Sequence, residues 1–172
     1  MGSCPTATPF RRATAIVPGI ELPDHPIVEL RDETLAASER FGASPRVLVY
    51  SCDHCGMGPD ESNGAQIIAV PCVAMLPPSF IDFALSRGLT DGVAVAGCAS
   101  GDCYYRLGDA WTAQRLRGER DPYLRERVDR KRVRHLHVRP TSMRQHRKLL
   151  DEFSAALDEL PPNEPKKRRD DA

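Results

Sequence analysis

Three short apolar runs organise the middle of the chain: RVLVYSC (46–52), AQIIAVPC (65–72) and DGVAVAGC (91–98). They are almost wholly apolar and lack the alternation of a half-exposed strand, which is the pattern of strands covered on both faces of a parallel sheet. Between the second and third lies PPSFIDFALSRG (77–88). There Phe80, Phe83 and Ala84 fall at helical spacing, Pro77 and Pro78 suit a first helical turn, and Gly88 can close the last one. Strand, helix and strand in succession predict a small parallel sheet of the α/β class. A further helix is expected over 104–117 and a weaker strand over RVRHLHV (132–138). The segment SMRQHRKLLDEFSAALDEL reads as a last helix, N-capped by Thr141, with Leu149, Leu150, Phe153 and Leu157 on its apolar face.

Flanking segments are of another kind. Residues 1–31 are proline-rich and without period, and read as an extended N-terminal arm. RDETLAASERFG (31–42) reads as a short helix stopped at Gly42, so that 32–160 forms the α/β domain. PPNEPKKRRDDA (161–172) reads as a disordered charged tail. The link between the first two strands, DHCGMGPDESNG (53–64), is short for a crossover helix, because parallel crossovers usually need a dozen or more residues.

No apolar run reaches membrane-spanning length, and the prolines of the N-terminus interrupt any signal-peptide core. A cytoplasmic protein is expected, not itself membrane-spanning. Stable disulfides are rare in that compartment, so the six cysteines read as metal ligands or redox thiols. Formal net charge is zero, yet residues 106–148 carry fourteen Lys and Arg against five Asp and Glu. Such a block suggests docking of Arg115, Arg117 and Arg120 on an acidic partner. It brings no nucleic-acid recognition motif and little interleaved aromatic surface, so no nucleic-acid partner is expected.

The cysteines give the chemistry. Ligands of a parallel α/β sheet gather outside the carboxyl ends of its strands. Cys52, Cys72 and Cys98 each stand at such an end, Cys55 follows the first in CDHC, and Cys103 lies five residues beyond the third. All five are expected at one edge of the sheet. Four thiolates suit an iron–sulfur cluster or a structural zinc. Gly56, Gly58, Gly97 and Gly101 would let the backbone approach and aim N–H groups at sulfur. Few acids lie beside the cysteines beyond Asp53 and Asp102, which argues against a hard cation, and Cys4 in the arm reads as an unligated thiol. A dithiol oxidoreductase built on Cys52 and Cys55 would need a depressed thiol pKa, which the sequence does not predict. No phosphate loop, nucleophile elbow or histidine–glutamate zinc motif is present, so no independent catalysis is expected.

GCASGDCYY (97–105), together with CDHC, the lone Cys72 and LPPSFIDFALSRGLTDGVAVAGC (76–98), resembles the delta, iron–sulfur subunit of methyl-viologen-reducing hydrogenase, from about Val47 to Leu116. The resemblance implies a flavodoxin-like three-layer domain holding one 2Fe–2S cluster on four of Cys52, Cys55, Cys72, Cys98 and Cys103. It implies a non-catalytic electron-transfer subunit within an oxidoreductase complex. Its donor would be of the hydrogenase or formate dehydrogenase type, and its acceptor a heterodisulfide-reductase-like flavoprotein. The alternative is a zinc-stabilised protein-interaction module without redox activity. The segment after Cys55 is shorter than in the family, and both the arm and RLRGERDPYLRERVDRKRVRHLHV (115–138) look like additions.

Overall fold

The structure is a computed structural model that describes residues 25–42, 44–55, 57, 64–139 and 143–165; Cys4, Gly56, Gly58, Thr141 and nearly all of the expected arm lie outside them. In chain order the elements are α1 (Ile27–Glu39), β1 (Val47–Cys52), β2 (Gln66–Val70), α2 (Pro78–Ser86), β3 (Gly92–Cys98), α3 (Gly108–Arg117), β4 (Val133–Val138) and α4 (Met143–Asp158). The four strands form one parallel sheet in the order β2-β1-β3-β4.

β1 and β3 are buried at every residue, which is why their sequences are apolar without alternation. β4 alternates in burial along its length, which is why its sequence reads as the weakest strand. Side chains three apart on a strand point to opposite faces, and Gly92 and Val95 mark the two faces of β3. On one face α4 comes down on Gly92 through Phe153 and Leu157. On the other, Val95 lines a small cavity together with Ile81 of α2 and Thr112 and Leu116 of α3. The result is the expected flavodoxin-like three-layer α/β domain, with its core among β1, β3 and the inner faces of the helices.

Several boundaries move. Helix α1 begins at Ile27, inside the segment read as arm, and ends at Glu39, before Gly42. α3 begins at Gly108, because residues 104–107 are used in a turn. β2 ends at Val70, so Cys72 lies two residues past the strand and leads into a short 3₁₀ turn. The chain runs from β1 to the parallel β2 through residues 53–65, of which only the turn Asp53–Cys55 has helical character among the described residues. The tail expected from Pro161 is held down as far as Pro165. Asn163 donates from Nδ2 to the carbonyls of Leu85 and Thr90, 2.8 Å each, and Arg132 donates to the Pro161 carbonyl at 2.5 Å. One asparagine thus satisfies two carbonyls at the end of α2, which composition alone does not reveal.

Candidate metal centre

The strand order reverses between β1 and β3: the chain leaves β1 on one side and returns across it to reach β3 on the other. Ligand sites of open α/β sheets lie at this reversal, outside the carboxyl ends of the strands. Cys52 ends β1, Cys98 ends β3, and their sulfurs are 3.8 Å apart. Cys72, following β2, is in thiol contact with Cys52. The Cys72 and Cys103 sulfurs both face the Cα of Gly108, where a Cβ would stand 2.6 and 3.3 Å from them. All five cysteines are free thiols gathered at this edge, with only Cys103 partly open to solvent. The parallel sheet brings them together, since Cys52 and Cys103 are far apart in sequence.

Cys55 differs from the other four. It is wholly buried, and its thiol donates to the backbone carbonyls of Cys52 (3.0 Å) and Ala96 (3.4 Å). Ser51 Oγ lies 3.6 Å from it and donates in turn to the Met57 carbonyl at 3.3 Å. The remaining sulfurs form one connected group: Cys52 lies 3.8 Å from Cys98 and also meets Cys72, and Cys72 and Cys103 both crowd Gly108. Tetrahedral thiolates about 2.3 Å from a shared metal are about 3.8 Å apart, which matches the Cys52–Cys98 separation.

Each loop also directs backbone N–H groups at sulfur. Cys52 accepts from His54, Cys55 from Met57 and Cys72 from Ala74, in every case two residues downstream. Cys98 accepts from Tyr104. Donors of this kind stabilise thiolate charge and tune a bound cluster. Ionisation within the group is uneven. Hydrogen bonds from Cys55 and then Cys72 hold the Cys52 thiol far below its ordinary range. The same bonds to Cys52, with burial second, push Cys55 and Cys72 up, and burial followed by the Cys52 charge pushes Cys98 up to about 11. One negative charge dominates the site, and a second thiolate must overcome its repulsion. Four thiolates side by side require a bound cation, and the donor set fits a soft metal or an iron–sulfur cluster.

Of the four glycines expected near sulfur, Gly56 and Gly58 lie outside the described residues, and the other two do not face it. Gly97 faces Asp109 and His135, whereas the space beside Gly101 is open. Gly101 has φ +86, and the turn it occupies is closed by the Asp102 N–H donating to the Ala99 carbonyl at 2.9 Å. Among the described residues Gly108 is the glycine that faces sulfur, and only its position in the fold reveals this. Outside the site, Tyr104, Tyr105 and Leu107 are 69, 50 and 52 % exposed, and the His54 ring stacks on Tyr104 at 4.2 Å. This aromatic rim next to Cys103 is legible in the sequence only as a YY pair. The three docking arginines divide: Arg115 is half-buried and donates to the Ala74 carbonyl, Arg117 pairs with Glu119 at 2.9 Å, and Arg120 lies over Trp111 at 4.4 Å. Arg125 and Arg127 close on the buried Asp82, and Arg130 and Arg132 reach backbone carbonyls. Several of these arginines thus make contacts within the domain, while Arg117, Arg125, Arg127 and Arg130 stay exposed.

The model of the family described as methyl-viologen-reducing hydrogenase, delta subunit, matches residues 47–161. The chain belongs to this family. The match runs from the first residue of β1 past the end of α4 and includes the five gathered cysteines. Curated relatives agree. The iron-sulfur subunit of the F420-non-reducing hydrogenase of Archaeoglobus profundus is 26 % identical over 127 residues, covering 69 % of this chain and 92 % of that protein. The iron-sulfur subunit of the F420-non-reducing hydrogenase vhc of Methanococcus voltae is 34 % identical over 74 residues, covering 38 % of this chain and 51 % of that one. In the ferredoxin:CoB-CoM heterodisulfide reductase of Methanosarcina mazei, one subunit is 27 % identical over 136 residues, 74 % of this chain but 17 % of that much longer protein. Among the described residues no helix is long and apolar enough to cross a membrane.

Proposed function

We propose that this delta-subunit homologue is a cytoplasmic electron-transfer subunit holding one 2Fe–2S cluster on Cys52, Cys72, Cys98 and Cys103, with Cys55 as the non-ligand. The carrying observation is the convergence of four sulfurs around the reversal point of the sheet: Cys52 lies 3.8 Å from Cys98 and meets Cys72, and Cys72 and Cys103 both crowd Gly108. A 2Fe–2S cluster takes two thiolates on each iron. Cys55 is wholly buried and its thiol is engaged by the backbone carbonyls of Cys52 and Ala96 as well as by the Cys52 sulfur, which supports it as the non-ligand. When bound, the cluster would accept and release one electron at a time. The chain's own part is to exclude water, direct N–H groups at sulfur, and bring the Cys103 side close to the surface.

Partners follow from the relatives' names. A donor of the hydrogenase or formate dehydrogenase type and a heterodisulfide-reductase-like flavoprotein acceptor are supported by the two hydrogenase relatives and by the heterodisulfide reductase relative. The exposed Tyr104, Tyr105 and Leu107 beside Cys103 supply the apolar surface such a partner would cover.

The test is anaerobic purification followed by visible and electron paramagnetic resonance spectroscopy with iron, sulfide and zinc analysis. A brown protein with two irons and two sulfides per chain, and a paramagnetic signal on one-electron reduction, is expected. A colourless protein with stoichiometric zinc at the thiols overturns the reading and makes the domain a zinc-stabilised interaction module.

A further inference from the structure

Asp109, His135 and His137 bring a carboxylate and two imidazoles together on the sheet face that carries α3, without any cysteine. Asp109 is the second residue of α3, and His135 and His137 are alternate residues of β4, so the strand's period of two sets both rings on one side. His135 Nε2 lies 2.9 Å from Asp109 Oδ1, and His137 Nε2 lies 3.1 Å from Asp109 Oδ2. The donor atoms of all three residues fall within 4.8 Å of one another.

An ordinary hydrogen-bonded trio does not explain this arrangement. His137 and Asp109 do make a hydrogen bond. His135 Nε2 and Asp109 Oδ1, however, are both shielded from solvent and close together, yet neither has a hydrogen-bond partner. A buried donor and acceptor facing each other without a bond are costly unless a further group satisfies both. The neighbouring backbone lets the carboxylate approach the two rings closely. At Gly97, register partner of His137, a Cβ would stand 2.2 Å from Asp109 Oδ1 and 3.2 Å from His135 Nε2. Any other residue there would push the Asp109 carboxylate away from the imidazoles.

We propose that Asp109, His135 and His137 form a second metal site that binds zinc, distinct from the thiol site. Two neutral imidazoles and one carboxylate are a borderline-soft donor set, suited to zinc at about 2.0–2.2 Å. Three protein ligands leave a fourth position for water, and His137, about half exposed, is the side from which water reaches it. The ion would tie the first turn of α3 to β4. That turn opens with Gly108, which packs against Cys72 and Cys103, so the second metal would brace the wall of the thiol site. The zinc site stands whether the thiols hold iron and sulfide or not.

The test uses the full chain carrying its native thiol-bound cofactor. Equilibrium dialysis against zinc, with metal counted by mass spectrometry, is combined with zinc-edge X-ray absorption. One zinc per chain is expected, with nitrogen and oxygen scatterers at about 2.0–2.1 Å and no sulfur at about 2.3 Å. His137→Gln and Gly97→Ala should each lose that zinc. His137→Gln alters a half-exposed side chain, so its iron content should stay at the wild-type level and report an intact fold. Absence of a zinc with nitrogen and oxygen ligands in the wild type, or equal uptake by His137→Gln, would overturn the proposal; a sulfur shell would instead report zinc at the thiols and overturn the reading of that site.

Discussion

Gly108 and Cys72 stand in contact across the mouth of the sheet: a Cβ on residue 108 would lie 2.6 Å from the Cys72 sulfur. That distance is shorter than a carbon and a sulfur tolerate, and Cys103 crowds the same point at 3.3 Å. Gly108→Ala should displace the Cys72 and Cys103 thiols while leaving the sheet intact. The expected outcome is reduced iron and sulfide content with unchanged far-ultraviolet circular dichroism. Full occupancy in Gly108→Ala would show that these two sulfurs do not share a ligand position.

The individual thiols should differ in effect. Cys52→Ser, Cys72→Ser, Cys98→Ser and Cys103→Ser are each expected to lower cluster content, measured as iron per chain and visible absorbance. Cys55→Ser should retain the cluster, since a serine hydroxyl can donate to the same carbonyls of Cys52 and Ala96. The assignment of the non-ligand is wrong if Cys55→Ser loses iron while any one of the other four keeps it.

Asp91 anchors the start of β3 to the residue before β1. Its carboxylate accepts from the Arg46 backbone N–H at 2.8 Å and from the Arg46 guanidinium at 2.9 and 3.0 Å. Burial opposes ionisation, but the bonds to Arg46 outweigh it and hold the Asp91 carboxyl below its usual range. A folded-state pKa below the unfolded one gives stability that is complete above about pH 4 and is lost as pH falls through the folded value. Asp91→Asn should therefore be less stable than wild type at neutral pH, with the difference shrinking in acid. Urea unfolding across a pH series measures this, and a constant difference down to the lowest pH would contradict it.

Phe153 is almost fully buried and, with Leu157, meets Gly92 on the α4 face of the sheet. Phe153→Ala should cost about 3–5 kcal/mol through lost burial and the cavity left behind. Chemical denaturation of the two proteins gives the value. A cost under about 1 kcal/mol would mean that α4 contributes little to the core, in line with surface substitutions.

Local sequence pattern sufficed for the parallel sheet and the five-thiol edge. β1 and β3 are covered on both faces, and their unbroken apolar runs record that burial directly; cysteines at strand ends then reach a common edge because parallel strands end on the same side. It also sufficed for the opening of α2, since Pro78 stands at its first turn. That Gly108 faces sulfur, that the Cys55 thiol reaches backbone carbonyls and which acids and carbonyls the arginines meet emerge only from packing in three dimensions. Gly97, Gly101 and Gly108 look alike in sequence, but what a glycine leaves room for depends on the elements packed beside it, and these come from distant parts of the chain. Asp109, His135 and His137 are illegible as a group for the same reason: a helix start and a strand 26 residues later meet only when α3 folds over β4. The contacts of the basic block are likewise invisible in sequence: Arg125 and Arg127 stay exposed yet reach the buried Asp82, and Arg130 reaches the Leu124 carbonyl. Local pattern records what each segment buries, while contact between segments is fixed by packing, and the site depends on that contact.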